Sequence, residues 1–205
     1  MNKLILKEIN NLIRESSSGV DVMVDIQPEY MSAITFLGDW IKYLNENASS
    51  KRIIILYNGA DTVGGPTEDE YINWLLENGL EEEIVYELEF FDKGYAFFRT
   101  PMDSGVDFDE ILIVLKFMVE NDYNDVRDIT DEEWVHLKNE HNLDNIHENI
   151  IDNDGGLYIP DVMEYLDQLN NITLMGGGVD ECLAEIELVL QLLDKPYHLN
   201  KRFIY

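Results

Sequence analysis

The run Arg52-Ile53-Ile54-Ile55-Leu56-Tyr57 decides the fold. Its apolar residues are consecutive rather than alternating, and three are β-branched. A strand of that kind is buried on both faces, as strands are in a parallel sheet. Upstream, Val20 to Ile26 (VDVMVDI) is a second short apolar run, bounded by Gly19 and Pro28. Between the two runs, residues 29–47 carry Ile34, Leu37, Ile41 and Leu44 on one helical face. Downstream, Asn58-Gly59-Ala60-Asp61 and Gly64-Gly65-Pro66 form a loop, and Thr67 is suited to cap a helix through Asn78. A third strand is expected over Ile84 to Phe91. Strands alternating with helices imply βαβ units, a central parallel sheet and a three-layer α/β/α fold of Rossmann-like kind.

The flanks extend the same reading. Residues 2–16 place Leu4, Ile5, Ile9, Leu12 and Ile13 on one helical face, and Ser16-Ser17-Ser18-Gly19 ends that helix. Residues 107–120 read as a helix, and Thr130-Asp131-Glu132-Glu133 as a capped helix start. Residues 139–153 are rich in Asn and Asp and read as a loop. A helix is expected from Pro160 to Leu169, a strand from Asn171 to Met175, a tight turn at Gly176-Gly177-Gly178 and an amphipathic helix from Val179 to Leu193. A last short strand is expected over Arg202 to Tyr205. No linker divides the chain, so 1–205 reads as one domain with a helical and loop insertion at about 101–155.

Composition bounds the function. Lys and Arg number 14 against 42 Asp and Glu, for a net charge of −28. Such a field repels a polyanion, so nucleic acid is not an expected ligand. A DNA mimic or a salt-adapted surface would also be acidic. The acids are dispersed among apolar periodicity, however, and read as a solvated surface that a protein partner could use. No stretch reaches the ~20 apolar residues that span a bilayer, and the first residues do not resemble a secretion signal. The one cysteine allows no internal disulfide and suits a reducing, cytoplasmic setting.

Ligands of parallel sheets bind at the carboxyl ends of the strands. Three residues able to do chemistry fall there. Asp25 ends the first strand, Lys93 follows the third, and Cys182 lies in the first turn after the glycine turn. A cysteine at a helix N-terminus sees unpaired amides and the positive end of the helix dipole, which favour thiolate. A lysine nearby adds to this. A carboxylate can take the thiol proton and return it to a leaving group, and a glycine turn can offer amides to an oxyanion. Tyr30, Tyr57, Tyr95 and Phe97 are candidates for an aromatic wall around a flat small molecule, or for the core.

Three segments resemble one family. Val24-Asp25-Ile26-Gln27-Pro28-Glu29-Tyr30 resembles the Asp-x-Gln opening of the isochorismatase-like cysteine hydrolases. Lys93-Gly94-Tyr95-Ala96-Phe97-Phe98-Arg99-Thr100 is similar to their lysine segment with about two residues removed. Gly176-Gly177-Gly178-Val179-Asp180-Glu181-Cys182 is similar to their cysteine turn. The resemblance covers 20–100 and 157–205. It implies Cys182 as nucleophile, Asp25 as general base and acid, and Lys93 as electrostatic partner. It further implies an oxyanion hole of the Gly178 and Cys182 amides, often around a cis peptide, here at Gly177–Gly178. The reaction implied is hydrolysis of an amide-like C–N bond of a small molecule, without cofactor or metal. The family commonly forms homo-oligomers.

The chain departs from that pattern in several places. The Asp-x-His-x-x-His metal site of the family's nicotinamidases has no counterpart in Tyr57-Asn58-Gly59-Ala60-Asp61. His136, His141 and His147 are spaced 5 and 6 apart and read as surface residues. Val179 stands where a hydroxyl residue is common. The 101–155 insertion lengthens the interval from Lys93 to Cys182 and could contact a partner. These departures leave room for a catalytically inactive acidic binding protein on the same scaffold. A third class is a metal-dependent phosphoesterase using Asp25, Asp61 and Asp180, although the chain has no phosphate-binding glycine motif.

Overall fold

The structure is a computed structural model that describes residues 11–16, 18–60, 64–93, 108–143, 157 and 159–205. Five strands, β1 (Val20–Val24), β2 (Arg52–Tyr57), β3 (Leu88–Asp92), β4 (Ile172–Gly176) and β5 (Tyr197–Leu199), form one sheet in the order β3-β2-β1-β4-β5. Every pairing is parallel. The fold is therefore α/β with the strand order of a three-layer, Rossmann-like architecture.

The consecutive apolar residues of β2 behave as their pattern requires. Ile53, Ile55 and Tyr57 join Met23 and Met175 on one face, against Trp40, Ile41 and Leu44 of α1 (Leu37–Asn47) and Tyr71 and Leu75 of α2 (Glu68–Glu77). Ile54 and Leu56 point the other way with Val20, Val22, Val24 and Leu174, and these too are at most 1% exposed. Burying each such side chain contributes roughly 1.5–3 kcal/mol. Helix α2 starts at the expected place because Thr67 and Glu70 form a reciprocal capping box.

By contact the chain forms two compact units. The first is residues 1–94, 168–183 and 196–205 and holds the sheet; the second is residues 95–167 and 184–195. The second unit contains α4 (Phe108–Glu120), capped α5 (Asp131–His141) and α6 (Val162–Asp167), with Ile111, Val114, Leu115, Trp134 and Leu166 buried. Helix α7 (Cys182–Leu192) begins in the first unit and continues into the second.

Several boundaries differ from those expected. The 29–47 helix begins only at Leu37, because Pro28 sets a 3-10 turn over Pro28–Tyr30 and the Tyr30 carbonyl accepts from both Ala33 and Ile34. The third strand begins at Leu88. Residues Glu82–Val85 instead form a helical turn, α3, with Ile84 bonding back to Glu81 and Glu87 to Ile84. The last strand is Tyr197–Leu199, not Arg202–Tyr205. Asn200 accepts the Arg202 amide with its side chain and turns the backbone into a 3-10 segment, Lys201–Phe203.

Residues 11–16 are helical, but Leu12 and Ile13 are 64% and 59% exposed while Asn11 and Glu15 are buried. Polar anchoring decides that rotation. Glu15 takes Arg52 at 2.6 Å and the Asn170 amide at 2.8 Å, and Arg52 also grips Glu89 at 2.8 Å. Among the described residues, no helix is long and apolar enough to cross a membrane.

Candidate active site

The chain runs outward from β1 through β2 to β3, then returns to add β4 and β5 on the other side of β1. The direction of winding reverses between β1 and β4, and a reversal of this kind opens a crevice at the strands' carboxyl ends. Register places the residues that face it. Val24 lies level with Leu56 and with Gly176, and Tyr57 lies level with Asp92. Asp25, Asn58, Lys93 and Gly177 are therefore the first residues beyond β1, β2, β3 and β4 at one edge of the sheet.

Asp25 has a left-handed backbone, φ 48°. That conformation is uncommon outside glycine and frequent where a site imposes it. The Asp25 amide donates to the Leu56 carbonyl at 2.9 Å, and the Asp25 carbonyl accepts from the Tyr205 hydroxyl at 2.8 Å. Its carboxylate is fully buried. Oδ2 takes the Lys93 ammonium at 3.0 Å and a long contact from Asn58 Nδ2 at 3.5 Å. Oδ1 is buried and has no hydrogen-bond partner among the described residues. The two oxygens are thus unequal: one is held by a cation, and the other has no partner among the described residues.

Lys93 is anchored through its amide to the Tyr57 carbonyl at 2.9 Å, and only 2% of its side chain is exposed. Besides Asp25, its ammonium donates to Asn58 Oδ1 at 3.0 Å. Asn58 itself is fixed from three sides. Its amide donates to Gln27 Oε1 at 2.9 Å, and its Nδ2 donates to the Tyr30 hydroxyl at 3.2 Å. A Cβ on Gly65 would lie 2.0 Å from the Asn58 carbonyl oxygen, so only glycine lets the following loop fold back this closely.

The glycine turn after β4 is equally constrained. Gly176 and Gly177 have φ +84° and +71°, and a Cβ on Gly176 would sit 2.3 Å from the Val24 carbonyl oxygen. All described peptide bonds are trans, so the cis peptide expected at Gly177–Gly178 is absent; the two left-handed glycines make the reversal instead. The Gly178 amide makes no hydrogen bond among the described residues. Its neighbours are bridged to Tyr205, with Val179 donating to the Tyr205 carbonyl at 3.0 Å and the Tyr205 amide to Gly177 at 3.2 Å. Cys182, half-buried, is the first residue of α7 and sits at the positive end of its dipole.

The phenols around this edge remain neutral. Burial raises the Tyr30 pKa, and the nearby Asp25 carboxylate raises it further, against the Asn58 hydrogen bond and the Lys93 charge. Burial likewise raises that of Tyr205, helped by Cys182 and Asp25. The Tyr30 hydroxyl is bonded to Asn58 and the Tyr205 hydroxyl to the Asp25 carbonyl.

Of the residues expected at the site, Asp25 and Lys93 meet directly, Tyr30 joins them through Asn58, and Gly178 and Cys182 lie on the adjoining turn and helix start. Tyr57 is a core residue, 5% exposed and stacked on Tyr71 at 5.2 Å, and burial beside Glu68 and Asp92 lifts its pKa to about 12. Tyr95, Phe97, Asp61 and His147 lie outside the described residues. His136 and His141 are exposed, as read, with His136 3.4 Å from Glu140. Among the described residues no group of three or more His, Cys, Asp or Glu could hold a metal ion. Asn58 and Tyr205 were not singled out by motif, and Gln27 belongs to the Asp-x-Gln segment without having been given a role. For Asn58 the signal was position, since it follows β2 as Asp25 follows β1 and Lys93 follows β3.

These features define a parallel α/β protein with a buried carboxylate–ammonium pair at its topological switch point. No family model, no curated protein and no solved structure matches the chain.

Proposed function

We propose that the protein is a cysteine hydrolase, a divergent relative of the isochorismatase-like enzymes, that cleaves an amide-like C–N bond of a small molecule. The observation that carries this reading is the asymmetry of Asp25. Its Oδ2 is committed to Lys93 and Asn58, and its buried Oδ1 has no partner. An unpartnered carboxylate oxygen is costly to bury, and a proton to accept is the role that accounts for it. Cys182, at a helix N-terminus beyond the neighbouring strand, supports the same reading as the source of that proton.

In the first step Asp25 Oδ1 takes the thiol proton and the Cys182 sulfur bonds to the substrate carbonyl carbon. The charge that develops on oxygen is met by the Gly178 and Cys182 amides. The C–N bond then breaks as Asp25 returns its proton to the departing nitrogen, leaving a thioester. Water adds to the thioester with its proton passing to Asp25, the C–S bond breaks, and the proton returns to sulfur. Lys93 stays charged throughout and holds Asp25 in place. The partner in this reading is a small molecule rather than a nucleic acid, and a reducing cytoplasm suits the single thiol.

An inactive acidic binding protein is the second reading, favoured by Val179, which is 55% exposed where a hydroxyl is common in the family. Incubation with p-nitrophenyl acetate, read by intact mass and nitrophenol release, separates the two. A hydrolase shows one acetyl group on Cys182, turnover, and loss of both in Cys182→Ala. Release that is unchanged in Cys182→Ala, or no acetyl adduct, supports the binding protein.

A further inference from the structure

The polar network around Lys93 settles the direction of each of its hydrogen bonds. An ammonium only donates, so the Asn58 atom 3.0 Å from Lys93 must be the carbonyl oxygen. The Asn58 NH₂ is then the atom that faces Asp25 Oδ2 and the Tyr30 hydroxyl. Tyr30 oxygen is therefore obliged to accept, and its own O–H has no acceptor among the described residues. The ring is half-buried on the Pro28–Tyr30 turn, packed 6.4 Å from the ring of Tyr205. An oriented, half-buried hydroxyl with an unspent proton, beside an ion pair, is a binding group.

We propose that Tyr30 selects the substrate, its hydroxyl donating a hydrogen bond to a neutral oxygen acceptor, a carbonyl or amide oxygen, on the small molecule that enters over Cys182. This rests on the hydrolase reading above and adds the polar feature that the substrate must carry. A neutral acceptor fits better than a carboxylate, because Glu29 and Glu181 lie on the flanking segments and the whole chain carries −28. The raised pKa of Tyr30 keeps the donor protonated across the neutral range.

The test uses the single thiol of the full chain as reporter. Cys182 is alkylated with iodoacetamide, which carries a carbonyl oxygen, and with allyl bromide, which carries none. The ratio of the two rates is compared with that of N-acetylcysteine. The native protein should favour iodoacetamide by about fivefold over the free thiol, the effect of one neutral hydrogen bond, and Tyr30→Phe should return the ratio to the free-thiol value. The wild-type comparison does not depend on the variant folding. A wild-type ratio equal to that of the free thiol overturns the proposal. So does an enhanced ratio that survives in Tyr30→Phe, or failure of both reagents to reach Cys182. The pH dependence of the allyl bromide rate reports separately on thiol activation. An ordinary thiol profile with an enhanced ratio sinks the hydrolase reading alone, and an activated profile with an unenhanced ratio sinks the role of Tyr30 alone.

Discussion

Lys93 and Asp25 form a 3.0 Å ion pair from which solvent is excluded, with side-chain exposures of 2% and 0%. Removing two charges from water costs several kcal/mol per ion, and mutual attraction repays this only while both partners are present. Lys93→Met should therefore destabilise the fold by about 3–5 kcal/mol in urea unfolding. Adding Asp25→Asn, which keeps the shape and tolerates the left-handed backbone, should recover most of that loss. A double variant no more stable than Lys93→Met would show that the two residues are not coupled.

The glycine turn makes a prediction about local sterics. At Gly176 a Cβ meets Val24 backbone at 2.3 Å and the φ is +84°. Gly176→Ala should cost roughly 2–4 kcal/mol, combining strain with overpacking. Gly38, exposed near the start of α1, has nothing within 4 Å of an added Cβ. Gly38→Ala should stabilise by about 0.5–1 kcal/mol, because alanine loses less backbone entropy in a helix. Thermal melts of the two variants should move in opposite directions.

Buried Asp21 is held by the Tyr43 hydroxyl and by Lys51 at 3.1 Å. Burial, then the bond to Asp21, raises the Tyr43 pKa. Burial pulls Lys51 down, but its contacts with Tyr43 and Asp21 outweigh this and leave it raised. Both folded-state values exceed the unfolded ones, so the stability they contribute is fully present below about pH 10 and is lost as pH rises through the raised values. The melting temperature should fall in alkali beyond that point. Tyr43→Phe should lower it at neutral pH and shrink the alkaline fall, whereas an alkaline limb identical to wild type would contradict the assignment.

How much of this could be read from sequence follows from the range of the forces involved. β2 was readable because three consecutive isoleucines fit only a strand buried on both faces, and α2 and α5 because Thr67 and Thr130 are local caps. Asp25 and Lys93 were readable because the ends of short apolar runs mark the sheet edge. Local patterns failed where distant contacts decide. Leu12 and Ile13 face outward because Arg52, far along the chain, claims Glu15. Tyr57 could be read as core or as wall, and its burial and stacking on Tyr71 place it in the core. Asn58 carries no chemistry alone, and its importance exists only once β1, β2 and β3 bring three residues together.

In the proposed hydrolase, Cys182 is activated by its helix start and by Asp25. The most direct measurement is the pH dependence of its alkylation by allyl bromide, in the native chain and in the same chain unfolded in urea. Native Cys182 should react faster than the unfolded chain at and below neutral pH, with a rate nearly flat across that range. A native curve that tracks the unfolded one, rising toward an ordinary thiol midpoint near ~8.5 or above it, would contradict the claim.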